Sequence, residues 1–193
     1  MRLFTGISIA PDVVHHLSLL LDHLRPTAHI KWSPVYNLHI TTKFIGEWRS
    51  ERLGILIDTL GRMRTREPIE IAVNGLGWLP NPHRPRILFA AVRAPETLEA
   101  LAKATEVQLE SLGVAAEKRP YSPHITLARI KEPNPLVELK RAIAHLPSVN
   151  FGNYTAGKFH LFESLRGPAG TVYTRLADFP LISETTTSET TDR

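Results

Sequence analysis

Two short stretches of this sequence carry the same pattern of chemistry-bearing side chains. Residues 38–46 read LHITTKFIG, and residues 123–129 read PHITLAR. Each holds His-Ile-Thr, and the two histidines, His39 and His124, stand 85 positions apart. Side chains in a strand alternate between faces, so with Leu38, Ile40 and Phe44 toward a core, His39, Thr41 and Lys43 point the other way. By the same rule Ile125 and Leu127 face the core, while His124 and Thr126 share the opposite face. Each strand then presents an imidazole and a hydroxyl roughly 6.5–7 Å apart along its length. Two imidazoles facing one cleft suit a paired proton transfer, in which the neutral one takes a proton from water and the protonated one gives a proton to a departing oxygen. An unperturbed pKa of about 6.5 makes both forms accessible at neutral pH. The threonine hydroxyls are neutral donors suited to nonbridging phosphate oxygens. Such chemistry asks for no metal and no covalent nucleophile. One HIT strand would mean little, because threonine is common in strands. Two copies, each preceded by a turn-like element (SPVYN and RPYSP), carry the functional reading.

The elements that must position these residues alternate in period along the chain. RLFTGISIA (2–10) alternates as a strand, and Pro11 and Asp12 open a helix through VVHHLSLLLDHL with Val14, Leu17, Leu20, Leu21 and Leu24 at helical spacing. IKW and NLHITTKFIG read as strands, and SERLGILIDTLGRM as a helix with Ser50 as its N-cap. A second round follows. IEIAVNGLGWL and RILFAAV are strands around the loop PNPHRP, and PETLEALAKATEVQLESLG is a helix whose apolar side is Leu98, Leu101, Ala102, Val107, Leu109 and Leu112, stopped by Gly113. PHITLARI, the loop KEPNP and the helix LVELKRAIAHL come next, then KFHLFESL and TVYTRLADF as a hairpin around RGPAG. Strands in unequal groups with a closing hairpin favour α+β over a parallel wrap. The echo between halves predicts two lobes related by an approximate twofold.

The 193 residues suit one domain, here 1–181, with a polar Thr/Ser-rich tail, 182–193, expected to be disordered. No run of eighteen apolar residues exists, so no membrane helix is expected, and MRLFTGISIAPDVVHHL reads as a first strand, not as a signal peptide. Without cysteine there is no disulfide, thiolate or sulfur-ligated zinc, which is compatible with a cytoplasmic location. A net charge of +4 modestly favours an anionic partner. No G-x-x-x-x-G-K-[ST] occurs, so ATP activation has no visible site.

The pair of H-x-T-x motifs resembles the 2H phosphoesterase superfamily. RLFTGISIAP, W-x₅-LHITTKFIG from Trp32, the PRILF segment at 85–89, RPYSPHITLAR, and Y-x₅-FPL from Tyr173 narrow the resemblance to the RNA 2′,3′-cyclic phosphodiesterases, also called 2′-5′ RNA ligases. It runs from about residue 2 to 181. The resemblance implies a bilobed α+β LigT-like fold, two antiparallel or mixed sheets with pseudo-twofold symmetry around a central groove and helices outside. It implies opening of terminal 2′,3′-cyclic phosphates to 2′-phosphates, reversible 2′-5′ joining, and no cofactor or metal. On it, His39 is the proton donor to the 3′ oxygen, His124 the proton acceptor from water, and Thr41 and Thr126 complete the motifs. Arg129 completes H-x-T-x-x-R and would neutralise phosphate charge. Strict alternation sets Arg129 on the core face instead, so either a bulge or the strand end re-aims it or it is structural.

Around this centre, Lys43, Lys118 and Arg119 are candidates to track an RNA backbone, as is the run Arg62, Arg64 and Arg66, for which a solvated surface is an equal reading. Phe4, Trp32, Phe44 and Tyr121 could stack a terminal base, with most such aromatics expected in the core. The expected partner is an RNA end bearing a 2′,3′-cyclic phosphate, met by a monomer. The alternatives are a small cyclic nucleotide as substrate, or a groove that binds an RNA end without turning it over.

Overall fold

The computed structural model describes residues 1–63, 67–94, 96–131, 135–168 and 170–182. Its first strand, β1 (Arg2–Ser8), buries Leu3, Thr5 and Ile7 on one side and turns Phe4, Gly6 and Ser8 to the other. Helix α1 (Pro11–Leu24) follows with Pro11 in its first turn and Val13, Leu17, Leu20, Leu21 and Leu24 buried, so Val13 rather than Val14 takes the innermost position. After the two-residue strand β2 (Lys31–Trp32), strand β3 (His39–Glu47) carries the first motif. Helix α2 (Leu53–Gly61) is entered through one 3₁₀ turn at Ser50–Arg52. Ser50 therefore caps no helix, and its hydroxyl pairs with the Glu51 carboxylate at 3.2 Å.

Strands β4 (Ile69–Leu79) and β5 (Ile87–Arg93) precede helix α3 (Glu96–Glu110), which ends ahead of Gly113 in a left-handed conformation, φ +88°. Thr105, not Val107, completes the buried side of α3, and Val107 stands 59% exposed. Strand β6 (His124–Arg129) carries the second motif, followed by helix α4 (Val137–Ala144), strand β7 (Asn150–Ala156), and the hairpin of β8 (Lys158–Gly167) with β9 (Gly170–Pro180). The sequence pattern does not reveal β7. It is an edge strand paired with β4 alone, and Gly152, in a left-handed conformation at a register shift, interrupts the alternation of Phe151 with Tyr154 and Ala156. Arg64, Arg66, Pro95, most of KEPNP and the tail from 183 lie outside the described residues.

The strands form one curled antiparallel path, β7-β4-β5-β6-β3-β1-β8-β9, with β2 beside β6. It consists of two four-stranded wings, and they meet where β3 pairs with β6 at Ile40 opposite Ile125. That pairing sets the two HIT segments side by side and antiparallel at the centre of the sheet. The helices lie behind it, with α3 on β3, α2 on α3, and α1 on β7 and α4. Fully buried Leu17, Leu21, Ile40, Leu88, Ile125 and Leu127 fill the space between sheet and helices. The architecture is the α+β, pseudo-twofold arrangement around a groove that the family resemblance implied, with the two expected sheets joined into one because β3 pairs with β6.

Candidate active site

Ile40 and Ile125 point into the core with no exposed surface, so the residues on either side of each face the groove together. His39 and Thr41 stand on one strand and His124 and Thr126 on its neighbour, all partly buried. Both imidazoles are anchored alike. Nδ1 of His39 donates to the Asn37 carbonyl at 2.7 Å, and Nδ1 of His124 to the Ser122 carbonyl at 2.8 Å. A carbonyl can only accept, so each ring keeps its Nδ1 proton and leaves Nε2 for chemistry. Nε2 of His39 lies 3.0 Å from Thr41 Oγ1, which donates to it while the ring is neutral.

Around His39 the groove floor is aromatic. Phe4 lies 4.8 Å away, Tyr173 meets it edge-on at 5.0 Å, and Phe162 stands at 6.1 Å. Burial lowers the His39 pKa, the hydrogen bond to Asn37 raises it, and the charges of Arg129 and of His124 lower it again. Those last two causes mean that the two motifs and Arg129 share one electrostatic site.

The bulges decide which side chains join them. Along β1–β3, Gly6 is opposite Thr41 but Thr5 is opposite Lys43, so Thr42 is an extra residue on β3. Along β5–β6, Phe89 is opposite Thr126 but Leu88 is opposite Ala128, so Leu127 is an extra residue on β6. In both strands the extra residue comes three after the histidine, and it inverts the alternation that follows. On β6 this settles the conflict over Arg129: the bulge turns it from the core to the groove face, where it is exposed. On β3 it overturns two expectations. Lys43 leaves the groove for the helix side, 6% exposed, where Nζ donates to Glu106 Oε1 and to the Ala115 carbonyl, both at 2.9 Å. Phe44, expected in the core, stands on the groove face at 61% exposure.

Other expected contacts resolve differently. Phe4 is 3% exposed and packed among His39, Phe162 and Tyr173, so it backs the His39 ring and has no free face for a base. Tyr121 donates from its hydroxyl to the Thr41 carbonyl at 3.0 Å, clamping the first motif from the loop before the second, and burial raises its pKa. Trp32 is half-buried, its indole N–H on the Ala28 carbonyl at 3.1 Å. Lys118 and Arg119 are exposed in the segment ahead of β6, away from the cavity beside His39.

That cavity, of about 360 Å³, is lined by Ser8, Tyr36, Asn37, His39, Tyr173 and Arg175 among others. Asn37 ties it together. Its side chain donates to the Thr171 carbonyl at 2.6 Å and accepts from the Tyr173 amide at 3.3 Å, while its own carbonyl holds His39. Asn37, Tyr173 and Arg175 were not among the expected site residues. For Tyr173 and Arg175 the only signal was the closing Y-x₅-FPL, since a hairpin over 130 positions downstream of His39 gives no local cue, whereas Asn37 ends the turn SPVYN directly ahead of the first motif.

A curled antiparallel sheet with two facing His-Thr pairs at its centre defines a two-histidine phosphoesterase. Residues 7–89 and 91–173 each match the family described as LigT like phosphoesterase, one match per half. An RNA 2′,3′-cyclic phosphodiesterase of Thermus thermophilus is 34% identical over 191 residues, covering 95% of this chain and 92% of its own. One of Methanothermobacter thermautotrophicus is 32% identical over 186, covering 94% and 99%. Among solved structures, TT0787 of Thermus thermophilus superposes with a TM-score of 0.81 at 32% identity, covering 95% of this chain and all of that one. E. coli LigT complexed with 3′-AMP superposes with 0.74 at 26% identity, covering 94% and 98%. The chain belongs to the LigT-like phosphoesterase family of the 2H phosphoesterase superfamily, and is an enzyme by that membership.

Proposed function

We propose that this enzyme hydrolyses terminal 2′,3′-cyclic phosphate on RNA to a 2′-phosphomonoester, with the two histidines exchanging protons across the groove. The observation that carries the reading is the matched anchoring of both rings by a carbonyl two residues upstream, which frees both Nε2 atoms for the same groove. The names of the relatives support the substrate, and the basic balance of the chain suits an anion. In this mechanism a water oxygen attacks phosphorus in line with the 3′ oxygen. Its proton passes to Nε2 of His124, and the Nε2 proton of His39 passes to the 3′ oxygen as the P–O3′ bond breaks. The products are a 2′-phosphate and a 3′-hydroxyl, and the histidines regain their starting states through solvent. Thr41, Thr126 and Arg129 hold the nonbridging oxygens, with Arg129 supplying the charge. A 5′-hydroxyl in place of water gives the 2′-5′ linkage, and the reverse step exchanges the two roles.

The lowered pKa of His39 fits this cycle in one specific way. Burial first, and the charges of Arg129 and His124 after it, disfavour the proton that His39 must donate. An anionic phosphate beside Arg129 offsets the share that those charges contribute, so substrate binding favours the protonated acid. The test is turnover of an oligoribonucleotide ending in 2′,3′-cyclic phosphate, with EDTA present, by wild type, His39→Ala and His124→Ala. A 2′-phosphate product and a fall of about 10²–10⁴ in kcat for each variant are expected. An inert wild type that still binds the oligonucleotide would leave a binding module in place of an enzyme.

A further inference from the structure

The cavity beside His39 extends away from His124, over β1, β8 and β9. On the mechanism above, the cyclic phosphate lies between the histidines, so what reaches this cavity is the ribose side of the leaving 3′ oxygen and the chain leading to it. The cation among its lining residues is Arg175. It faces the same way as Tyr173 on β9 and pairs in register with Phe162 on β8, both of which lie against His39.

Arg175 is held in a way that leaves its charge available. Nη2 donates to Ser8 Oγ at 3.0 Å, and Ser8 is the register partner of His39. Nε stands 3.7 Å from Asp178 Oδ1, too long for a hydrogen bond. That same oxygen accepts from Nδ1 of buried His160 at 2.8 Å, and Lys158 Nζ lies 4.0 Å from Oδ2. Asp178 is thus shared among three partners and does not close a bidentate pair with the guanidinium, whose side chain is 49% exposed. A cation fixed at the mouth of a cavity of about 360 Å³, with aromatic walls from Tyr36, Phe162 and Tyr173, suits a nucleoside followed by a phosphodiester.

We propose that Arg175 binds the phosphodiester on the 5′ side of the terminal nucleotide, and so makes the enzyme prefer an RNA end to a free nucleoside 2′,3′-cyclic phosphate. The proposal rests on the cyclic-phosphate reading of the site and narrows it. Ser8 and Asp178 position the guanidinium, and Asp178 divides its contacts among His160, Lys158 and Arg175.

The test compares kcat/KM for adenosine 2′,3′-cyclic phosphate with that for the dinucleotide ApA ending in 2′,3′-cyclic phosphate. Wild type is expected to prefer the dinucleotide at least about tenfold, the scale of one charge-assisted hydrogen bond. Arg175→Gln should erase most of that preference, and Arg175→Glu should invert it. The salt dependence of dinucleotide binding should fall by about one phosphate contact in Arg175→Gln. Because each readout is a ratio within one protein, a general loss of folded enzyme cannot imitate it. Equal turnover of both substrates by wild type, or a preference unchanged in both variants, overturns the role of Arg175 and leaves the cyclic phosphodiesterase intact. A wild type that turns over neither substrate overturns both.

Discussion

The two halves of the groove share a backbone plan but not an environment. Each motif strand runs His-x-Thr, bulges at the next residue, and returns a side chain to the groove two positions later. On the first strand the returned residue is Phe44, and on the second it is Arg129. Their bulge neighbours differ as well, since Lys43 makes a buried ion pair with Glu106 whereas Ala128 merely packs. His39 is backed by Phe4, Phe162 and Tyr173, while Phe89, at 5.4 Å, is the ring beside His124. Symmetry of the backbone thus supplies two copies of one carbonyl-anchored His-x-Thr arrangement. The asymmetry of what surrounds them gives one copy a desolvated, cation-repelled histidine and supplies the groove with its single motif arginine. Two equivalent imidazoles would have no reason to take opposite roles, and these are not equivalent.

Arg129→Gln strikes the largest asymmetry. It should lower kcat/KM by about 10² or more, as loss of an electrostatic donor to a developing charge does. It should also move the titration of His39. Removing a positive neighbour raises the His39 pKa, so the limb of the kcat/KM profile that belongs to His39 shifts to higher pH. If His39 is the acid, that limb is the one where activity falls as pH rises, and in wild type it lies below about 6.5. If activity instead rises with pH through the shifted limb, His39 is the base and the two roles must be exchanged.

Glycine sharpens the same comparison. A Cβ on Gly6 would stand 2.7 Å from the Ile40 carbonyl oxygen and 3.5 Å from Cδ2 of His39, so Gly6→Ala must push β1 and β3 apart beneath the His39 ring. A drop of about tenfold to a hundredfold in kcat is expected, the effect of misplacing a catalytic group by a fraction of an ångström to an ångström. In the other half, a Cβ on Gly77 would collide with the tip of the Phe89 ring, and Phe89 in turn flanks His124. A ring can swing where a carbonyl cannot, so Gly77→Ala should cost only a few-fold. Steady-state kinetics on both variants decides it, and the reverse order would mean that Phe89 orients His124 more rigidly than β1 supports His39.

What the sequence disclosed, and what it hid, follows from the same geometry. The histidines and threonines were legible because period-two alternation holds up to the bulge. The doubling of the motif, not either copy, gave them weight. Beyond the bulge the rule inverts, and nothing in TTKF or TLAR announces it. Family resemblance points to Arg129 against its parity, while for Lys43 and Phe44 parity is the only guide, and it names the wrong faces. Helices α1 and α3 are readable from their apolar spacing. Strand β7 is not, because an edge strand needs no apolar face on both sides. Asn37 meets His39 locally, but its side-chain bonds to the closing hairpin, and the place of Arg175 beside Ser8, are contacts between distant segments that no local pattern encodes.

Lys43 supplies the smallest expected effect and the cleanest check on the inverted register. Its ammonium is buried, with Glu106 and the Ala115 carbonyl as its partners among the described residues, whereas the Glu106 side chain is 25% exposed and also accepts from the Glu117 amide. Glu106→Ala leaves a buried charge uncompensated and should destabilise by about 2–3 kcal/mol, below the full cost of breaking a wholly buried pair because water reaches the carboxylate. Lys43→Met leaves a carboxylate that retains its amide and its water, and should cost about 1 kcal/mol or less. The Glu117 amide first, and Lys43 second, hold the Glu106 pKa below the usual carboxylate value. That contribution is complete above the unfolded pKa of about 4.3 and is lost as pH falls through the lower folded value, so melting curves of wild type and Glu106→Ala should converge on acidification. Turnover by Lys43→Met should stay within about threefold of wild type. If KM rises steeply while the melting temperature holds, Lys43 reaches the substrate after all, and the bulge at Thr42 does not turn it to the helix side in solution.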